Sequence, residues 1–463
     1  MGTKHQSSAD PISDSKKKRH LGAFKIDTGV EANECIKIYL VSSKEEVGSP
    51  DSFCIKPVDL NHFFEEDGKI YGYQNLKITI WVSSISFHAY ADIIFKSILN
   101  EGKGITDLKS SLQNIFAENL VENKDEFLNT FSSDRQYIKS IISTPGALQL
   151  TAANEHTGDS DFNSKDASNL EVFRIVGEPV GYLYSRLVPL VLLLIDGSNP
   201  IDIIDPRWEI YMLVQRAIVH VEDSHPIFLG FAAVYRFHRY PDSMRLRLGQ
   251  ILVLPPYQRR GYGGILLKVL NNIAISEDVY DLTVEEPEDS LQHVRTTIDV
   301  QRLLVFTPIQ DAVSSAVSRL KQENFSKKSQ ACHFAPPSSV VENVRKSLKI
   351  NRRQFLQCWE VLLYLGLDPI DKYMETYHAI VSARVKADVI GKDSEGIGKQ
   401  VIDVQTEYDE TSSFVMFKSL NGNATKSEMA EKQSNIEEQL RQLVDERMKE
   451  IKLIAEKVSG EPI

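Results

Sequence analysis

The sequence predicts a mixed α/β (α+β) chain with a helical C-terminal region, and three observations carry this. Ile36-Lys37-Ile38-Tyr39-Leu40 and Leu76–Val82 alternate apolar and polar residues, as half-buried strands do. The run Arg245–Leu254, RLRLGQILVL, is closed by Pro255-Pro256 and followed by a glycine-rich turn and an amphipathic stretch. From about residue 290 the apolar residues fall at helical spacing: Val313, Val317 and Leu320, then Phe355, Trp359, Leu362 and Leu365. A length of 463 residues carries a prior of about three domains.

Composition narrows the function. An apolar fraction of 42% leaves room for a large core and excludes a mainly disordered or fibrous chain. A net charge of −11 makes the chain a poor non-specific partner for nucleic acid and suits it to a cationic one. The longest apolar run, Leu187–Ile195, falls short of the roughly 20 residues that a membrane span needs and reads as a buried strand or helix. The first twenty residues lack the apolar stretch of a signal peptide. Cys35, Cys54, Cys332 and Cys358 are scattered, with no metal-site or disulfide spacing, so no metal is expected and a reducing compartment is.

Along the chain, residues 1–20 read as a polar tail whose Lys16-Lys17-Lys18-Arg19 run has the form of a nuclear import signal. Residues 21–148 read as a mixed α/β domain. It has strands at 36–40 and 76–82, an acidic turn Phe63-Phe64-Glu65-Glu66-Asp67-Gly68, and helical spacing over 107–130. Residues 152–169, rich in Asn, Asp and Ser, read as a flexible loop. A central domain over 149–286 follows, with strands at Trp208–Val214, Ile227–Tyr235 and Arg245–Leu254. Within the last, the alternation changes phase at Gly249, which predicts a β-bulge. A helical domain occupies 287–393. Beyond Ser394 a flexible tail is expected, with an amphipathic helix over 435–459 that starts at the capping box Ser434-Asn435-Ile436-Glu437 and lies flanked by solvent.

The segment with the clearest chemistry is Gln258-Arg259-Arg260-Gly261-Tyr262-Gly263-Gly264, between a strand and a helix that buries Leu266, Leu270, Ile273 and Ala274. Unpaired amides and the dipole at a helix start attract an anion, and glycines let a pyrophosphate approach the backbone. The loop is not a P-loop, because Ile265 stands where Lys would follow the glycine. Nor is it a Rossmann turn, because Leu266 stands at the third glycine position.

Gln258-x-x-Gly261-x-Gly263 after an apolar strand resembles the acetyl-CoA signature of the GNAT superfamily. The longer stretches RLRLGQILVLPPYQRRGYGGILL, DLTVEEPEDS at 281–290, LVPLVLLLIDGSNPIDIIDPRW at 187–208 and NHFFEEDGKIYGYQNLKITIWV at 61–82 resemble type B histone acetyltransferases. The resemblance covers about residues 20–390, and the tail beyond suggests a plant-type member. It implies a GNAT acyltransferase core, with acetyl-CoA as co-substrate and no metal. It further implies acetylation of lysines in the N-terminal tail of newly made, free histone four, in nucleus and cytoplasm. A WD-repeat histone chaperone of the retinoblastoma-binding class is the implied partner, with no direct contact to nucleic acid or membrane.

Acetyl transfer to lysine needs a neutral amine, whereas free lysine has a pKa of about 10.4, so a base must lie within reach. Glu285 and Glu286 follow the strand-like Asp281-Leu282-Thr283-Val284, and alternation lets only one of them face the amine. The family motif puts the base at Glu285. Asp196 falls where the family carries an acidic residue, usually glutamate, and its shorter side chain argues against a direct role. By the same resemblance the main chain of Ile251, Leu252 and Val253 takes the pantetheine arm, Gln258, Arg259, Arg260, Gly261, Tyr262, Gly263 and Gly264 take the pyrophosphate, and Ser290 touches the cofactor further on. Tyr235-Arg236-Phe237 matches a substrate strand, and Glu65, Glu66 and Asp67 form a patch suited to a basic tail. The same residues leave open a GNAT enzyme for another protein or a small amine, or a non-catalytic histone-binding scaffold.

Overall fold

In a computed structural model, two β-sheets and a helical bundle pack in succession along the chain. The structure describes residues 29–65, 67–99, 104–150, 169–216, 225–322, 334–367, 371–390 and 426–460. The basic run Lys16–Arg19, the loop expected over 152–169 (except residue 169), Glu66 and the tail from 394 to 425 lie outside them.

The first sheet contains β1 (Ile36–Val41), β2 (Phe53–Ile55), β3 (Lys77–Ser83), β4 (Ala89–Ile94) and β5 (Leu120–Val121), in the order β2-β1-β3-β4-β5. Its helices are α1 (Leu108–Phe116), capped by the Asp107 carboxylate, α2 (Lys124–Ser133), capped by Asn123, and α3 (Tyr137–Ile142).

The second sheet contains β6 (Ala147–Leu150), β7 (Leu170–Ile175), β8 (Trp208–Gln215), β9 (Ile227–Arg239), β10 (Ser243–Val253) and β11 (Leu282–Val284), in sequential order. All its pairings are antiparallel except the last, where β10 and β11 run parallel. That parallel pair needs a crossover, which is α5 (Tyr262–Ser276).

Two helices cover this sheet. Helix α4 (Glu178–Leu194) ends in the apolar run noted above and lies on one face. There Leu183, Leu187 and Leu190 share a core with Ile210, Met212, Phe231 and Leu252, and with Ile38 and Ile80 of the first sheet. The two sheets therefore have one continuous core rather than two separate ones. Pro189 inside α4 cannot donate to the Ser185 carbonyl, and the Asn119 side chain supplies that bond at 3.1 Å. On the other face, Leu266, Leu270 and Ile273 of α5 pack on Leu213, Val234, Leu246 and Leu248.

The helical region contains α6 (Asp289–Leu304), α7 (Thr307–Gln322), α8 (Ser338–Leu348), α9 (Arg352–Gly366), α10 (Asp371–Ile390) and α11 (Lys426–Ser459). Here the tail expectation needs correction. The last helix begins at Lys426, so position 434 lies inside the helix rather than at its start. Nor is it solvent-flanked. Val444, Ile451, Ile454 and Ala455 enter the helical core, and Arg447 donates to the buried Glu360 carboxylate at 3.0 Å. The buried stripe lies against α6, α9 and α10 within one domain, which explains its poor fit to a heptad.

Candidate active site

The site is built around an irregularity in β10. Ala233 pairs with Gln250 and Val234 with Leu248, so Gly249 is the extra residue of a β-bulge, as the phase change predicts. Before the bulge, Leu246 and Leu248 point to the α5 face; after it, Gln250 and Leu252 point to the α4 face. A side chain at Gly249 would crowd the Trp208 ring, which its Cβ would meet at 3.0 Å and which would have to shift to admit it.

The bulge is also where two parallel strands part. Leu246, Arg247 and Leu248 pair with Leu282, Thr283 and Val284, and the Glu285 amide adds a last bond to the Leu248 carbonyl at 2.9 Å. Beyond that point Gly249–Val253 retains β9 on one side and, among the described strands, has none on the other. The main chain of Ile251, Leu252 and Val253 thus lies along an open edge, which a ligand can line as an added strand does.

β11 is pinned from its far side by the helical region. The Leu282 amide donates to the Lys349 carbonyl at 2.9 Å, and the Leu282 carbonyl accepts from Arg295 and Asn351, each at 3.2 Å. Just before the strand, Arg245 grips the buried Asp281 carboxylate with two bonds, of 2.6 and 3.0 Å.

Glu285 follows this anchored strand, and its carboxylate lies 3.6 Å from where a Cβ on Gly249 would be. It is exposed, and no hydrogen bond or ion pair engages the carboxylate among the described residues. Glu286 is exposed at φ +33°, where the extended strand conformation has ended. Asp196 is exposed in the turn after α4, and no bond joins it to Glu285.

The loop that opens α5 is tightly shaped. The Gln258 side-chain Nε2 donates to the Val253 carbonyl at 2.9 Å, Arg259 takes φ +63°, and Gly261 takes φ +80° as the N-cap of α5. No side-chain oxygen caps this helix, which leaves the amides of Gly263 and Gly264 in its first turn for another acceptor. A Cβ on Gly263 would meet nothing within 4 Å, so its missing side chain leaves open space. Tyr262 is buried, Gly264 backs onto Val294 and Ile298 of α6, and Arg259 and Arg260 are exposed. Ser290 is exposed in the first turn of α6. An open strand edge, an uncapped helix start and this cleared space suit an extended ligand that ends in phosphates.

The expected substrate residues divide. Tyr235 and Phe237 lie on the α4 face with Trp208: ring centroids are 5.0 Å apart for Trp208–Tyr235 and 4.5 Å for Tyr235–Phe237, and the Arg247 guanidinium lies 4.1 Å over Phe237. Arg236, between them, points to the α5 face, since neighbouring strand residues alternate. There it pairs with Glu209 and with Glu277. Its guanidinium is thus committed within the sheet, not offered to a substrate. Burial pushes the Glu277 carboxyl up, but Arg236 and Arg174 outweigh this and hold it below its ordinary value. Glu65 and Asp67 are exposed in their turn, where Asp67 accepts from the Tyr71 hydroxyl and is held below the usual carboxylate range by that bond. Among the described residues, no hydrogen bond or ion pair ties the turn to β10 or β11.

Sequence reasoning passed over Trp208 and Gln250. A lone amide inside the apolar run GQILVL was the available signal for Gln250, and nothing in the sequence marked Trp208.

Residues 28–196 match the family model described as the N-terminus of the histone acetyl transferase HAT1. The histone acetyltransferase type B catalytic subunit of Arabidopsis thaliana is 54% identical, across 99% of this chain and 98% of its own length. Its Zea mays counterpart is 45% identical, across 96% and 94%. A Dictyostelium discoideum protein of the same description is 25% identical, across 81% and 75%. A solved aminoglycoside acetyltransferase aligns at 16% identity, a TM-score of 0.21, and 27% and 82% coverage, a likeness too faint to weigh. With more than half its residues shared over nearly full length, the chain belongs to the catalytic subunits of type B histone acetyltransferases, and is an acetyltransferase.

Proposed function

We propose that the chain transfers acetyl from acetyl-CoA to lysines in the N-terminal tail of newly made, free histone four, with Glu285 as general base. One observation carries this: an exposed, unpaired carboxylate held at the point where β10 and β11 diverge. The thioester supplies an activated acetyl group. Glu285 accepts the proton of the lysine ammonium, the freed amine nitrogen bonds to the acetyl carbon, and the carbon–sulfur bond breaks; the nitrogen's second proton passes to the departing sulfur, so that the amide and the CoA thiol are released. The main chain of Ile251–Val253 orients the pantetheine arm, and the amides after Gly261 hold the pyrophosphate. The proposal extends to work in both nucleus and cytoplasm, beside a WD-repeat histone chaperone of the retinoblastoma-binding class.

Labelled acetyl-CoA with separate free histones, nucleosomes and small polyamines tests the substrate. Label on free histone four supports the proposal; faster labelling of another protein or of a polyamine overturns it. Gly263→Val tests the phosphate site. Its side chain enters open space, so the melting temperature should hold while acetyl-CoA affinity falls by calorimetry. Unchanged affinity would remove the phosphates from this loop.

A further inference from the structure

We infer that Gln250 is a positioning residue that locks the Asp196–Ile201 turn against the base-bearing end of the sheet; this rests on Glu285 being the base.

Gln250 is only 6% exposed, yet each polar atom of its amide has a partner. Its Oε1 accepts from the Tyr184 hydroxyl at 2.8 Å. Its Nε2 donates to the Ser198 Oγ at 2.8 Å and to the Asn199 carbonyl at 2.7 Å. The same Tyr184 hydroxyl accepts from the Ile201 amide at 3.1 Å. Two side chains, one from the strand and one from α4, thus hold Ser198, Asn199 and Ile201 of a turn that otherwise has little regular structure. A buried amide that lost these partners would incur a desolvation cost, so the network holds one arrangement.

Position gives this a role in the reaction. Gln250 is the residue after Gly249, over which the Glu285 carboxylate lies, and the bulge turns both positions to the α4 face. The locked turn therefore flanks the place where a lysine would reach Glu285. Gln250 itself keeps no free polar atom to offer a substrate. Its effect must pass through the turn and be felt by the lysine-bearing substrate more than by acetyl-CoA.

The test uses Gln250→Met, which keeps the length and removes the hydrogen bonds, in the full chain. Hydrogen exchange should quicken in peptides covering 195–207 and stay unchanged in α5. The kcat/KM for a histone tail peptide should fall about ten-fold, the equivalent of one lost hydrogen bond, with acetyl-CoA affinity within two-fold of the parent. Tyr184→Phe, which frees Ile201 and one side of Gln250, should show a smaller change of the same pattern and covers the case in which the first variant does not fold. Parental exchange over 195–207, or parental kcat/KM despite a loosened turn, overturns the inference. Glu285→Gln is assayed alongside. If it is slow while Gln250→Met is unaffected, the positioning role alone fails; if Glu285→Gln is itself active, the base assignment fails.

Discussion

The two faces of the second sheet use glutamate in opposite ways. Under α5, Glu209 and Glu277 alternate with Arg174 and Arg236 in a closed ring, with each arginine bridging both carboxylates. The Tyr211 hydroxyl adds a bond to Glu209 at 2.9 Å. On the α4 face, Glu285 has an anchored backbone and a carboxylate that no described residue bonds or pairs with. A carboxylate with two guanidiniums on it is committed to them; one that is only positioned is open to another partner. The difference separates a carboxylate that holds the sheet together from one that is available to react.

Loss of Glu285 should have the largest effect. Glu285→Gln should lower turnover by roughly 10²–10⁴, the usual contribution of a positioned base, and leave acetyl-CoA binding intact. Its activity should recover as pH rises, because more of the lysine is already neutral. Glu286→Gln should cost less, and a greater loss from Asp196→Asn would transfer the role of base to Asp196. Turnover near that of the parent by Glu285→Gln from about pH 6 to 9, below the lysine pKa, would erase the contrast between the faces.

Glu209→Ala should do the opposite, destabilising the fold by about 3 kcal/mol by leaving two largely buried guanidiniums short of a partner. Denaturant melts read the loss, and kcat at a temperature where the variant stays folded should remain close to the parent's. A large kcat defect in the folded variant would show that the ring also serves the reaction. Since the Glu277 pKa is depressed in the fold, its contribution is full above the unfolded value of about 4.3 and fades as pH falls through the folded value. Melting temperature followed down to acid pH should therefore decline more steeply in the parent than in Glu277→Gln.

The smallest effect belongs to the acidic turn. Replacing Glu65, Glu66 and Asp67 together by alanine should raise the KM for a histone tail a few-fold at low salt and spare that for acetyl-CoA, as exposed pairs contribute little each. An equal histone KM at low salt would take the turn out of substrate binding.

Much of the site could be read from local pattern. The bulge followed from one glycine at a phase change, the strand end from two prolines, and the uncapped start of α5 from glycines before an amphipathic run. Each is a backbone event caused by nearby residues. Three features could not be read this way. Arg236 resembled a substrate contact because its partners, Glu209 and Glu277, lie 27 and 41 residues away in the chain. The tail helix seemed solvent-flanked because its anchor, Glu360, lies 87 residues before Arg447. Gln250 looked like an interruption of an apolar strand because Tyr184 and Ser198 come from another element.

The sequence by itself determined the class of the fold, the order of its parts, the bulge in β10 and the glycine-rich start of α5. These depend on hydrophobic period, turn chemistry and spacing, which are properties of neighbouring residues. Only the tertiary structure decided which charges are committed and which are free. A charged side chain looks the same in sequence whether it is paired or not, and its protonation, energy and role depend on what folding brings against it.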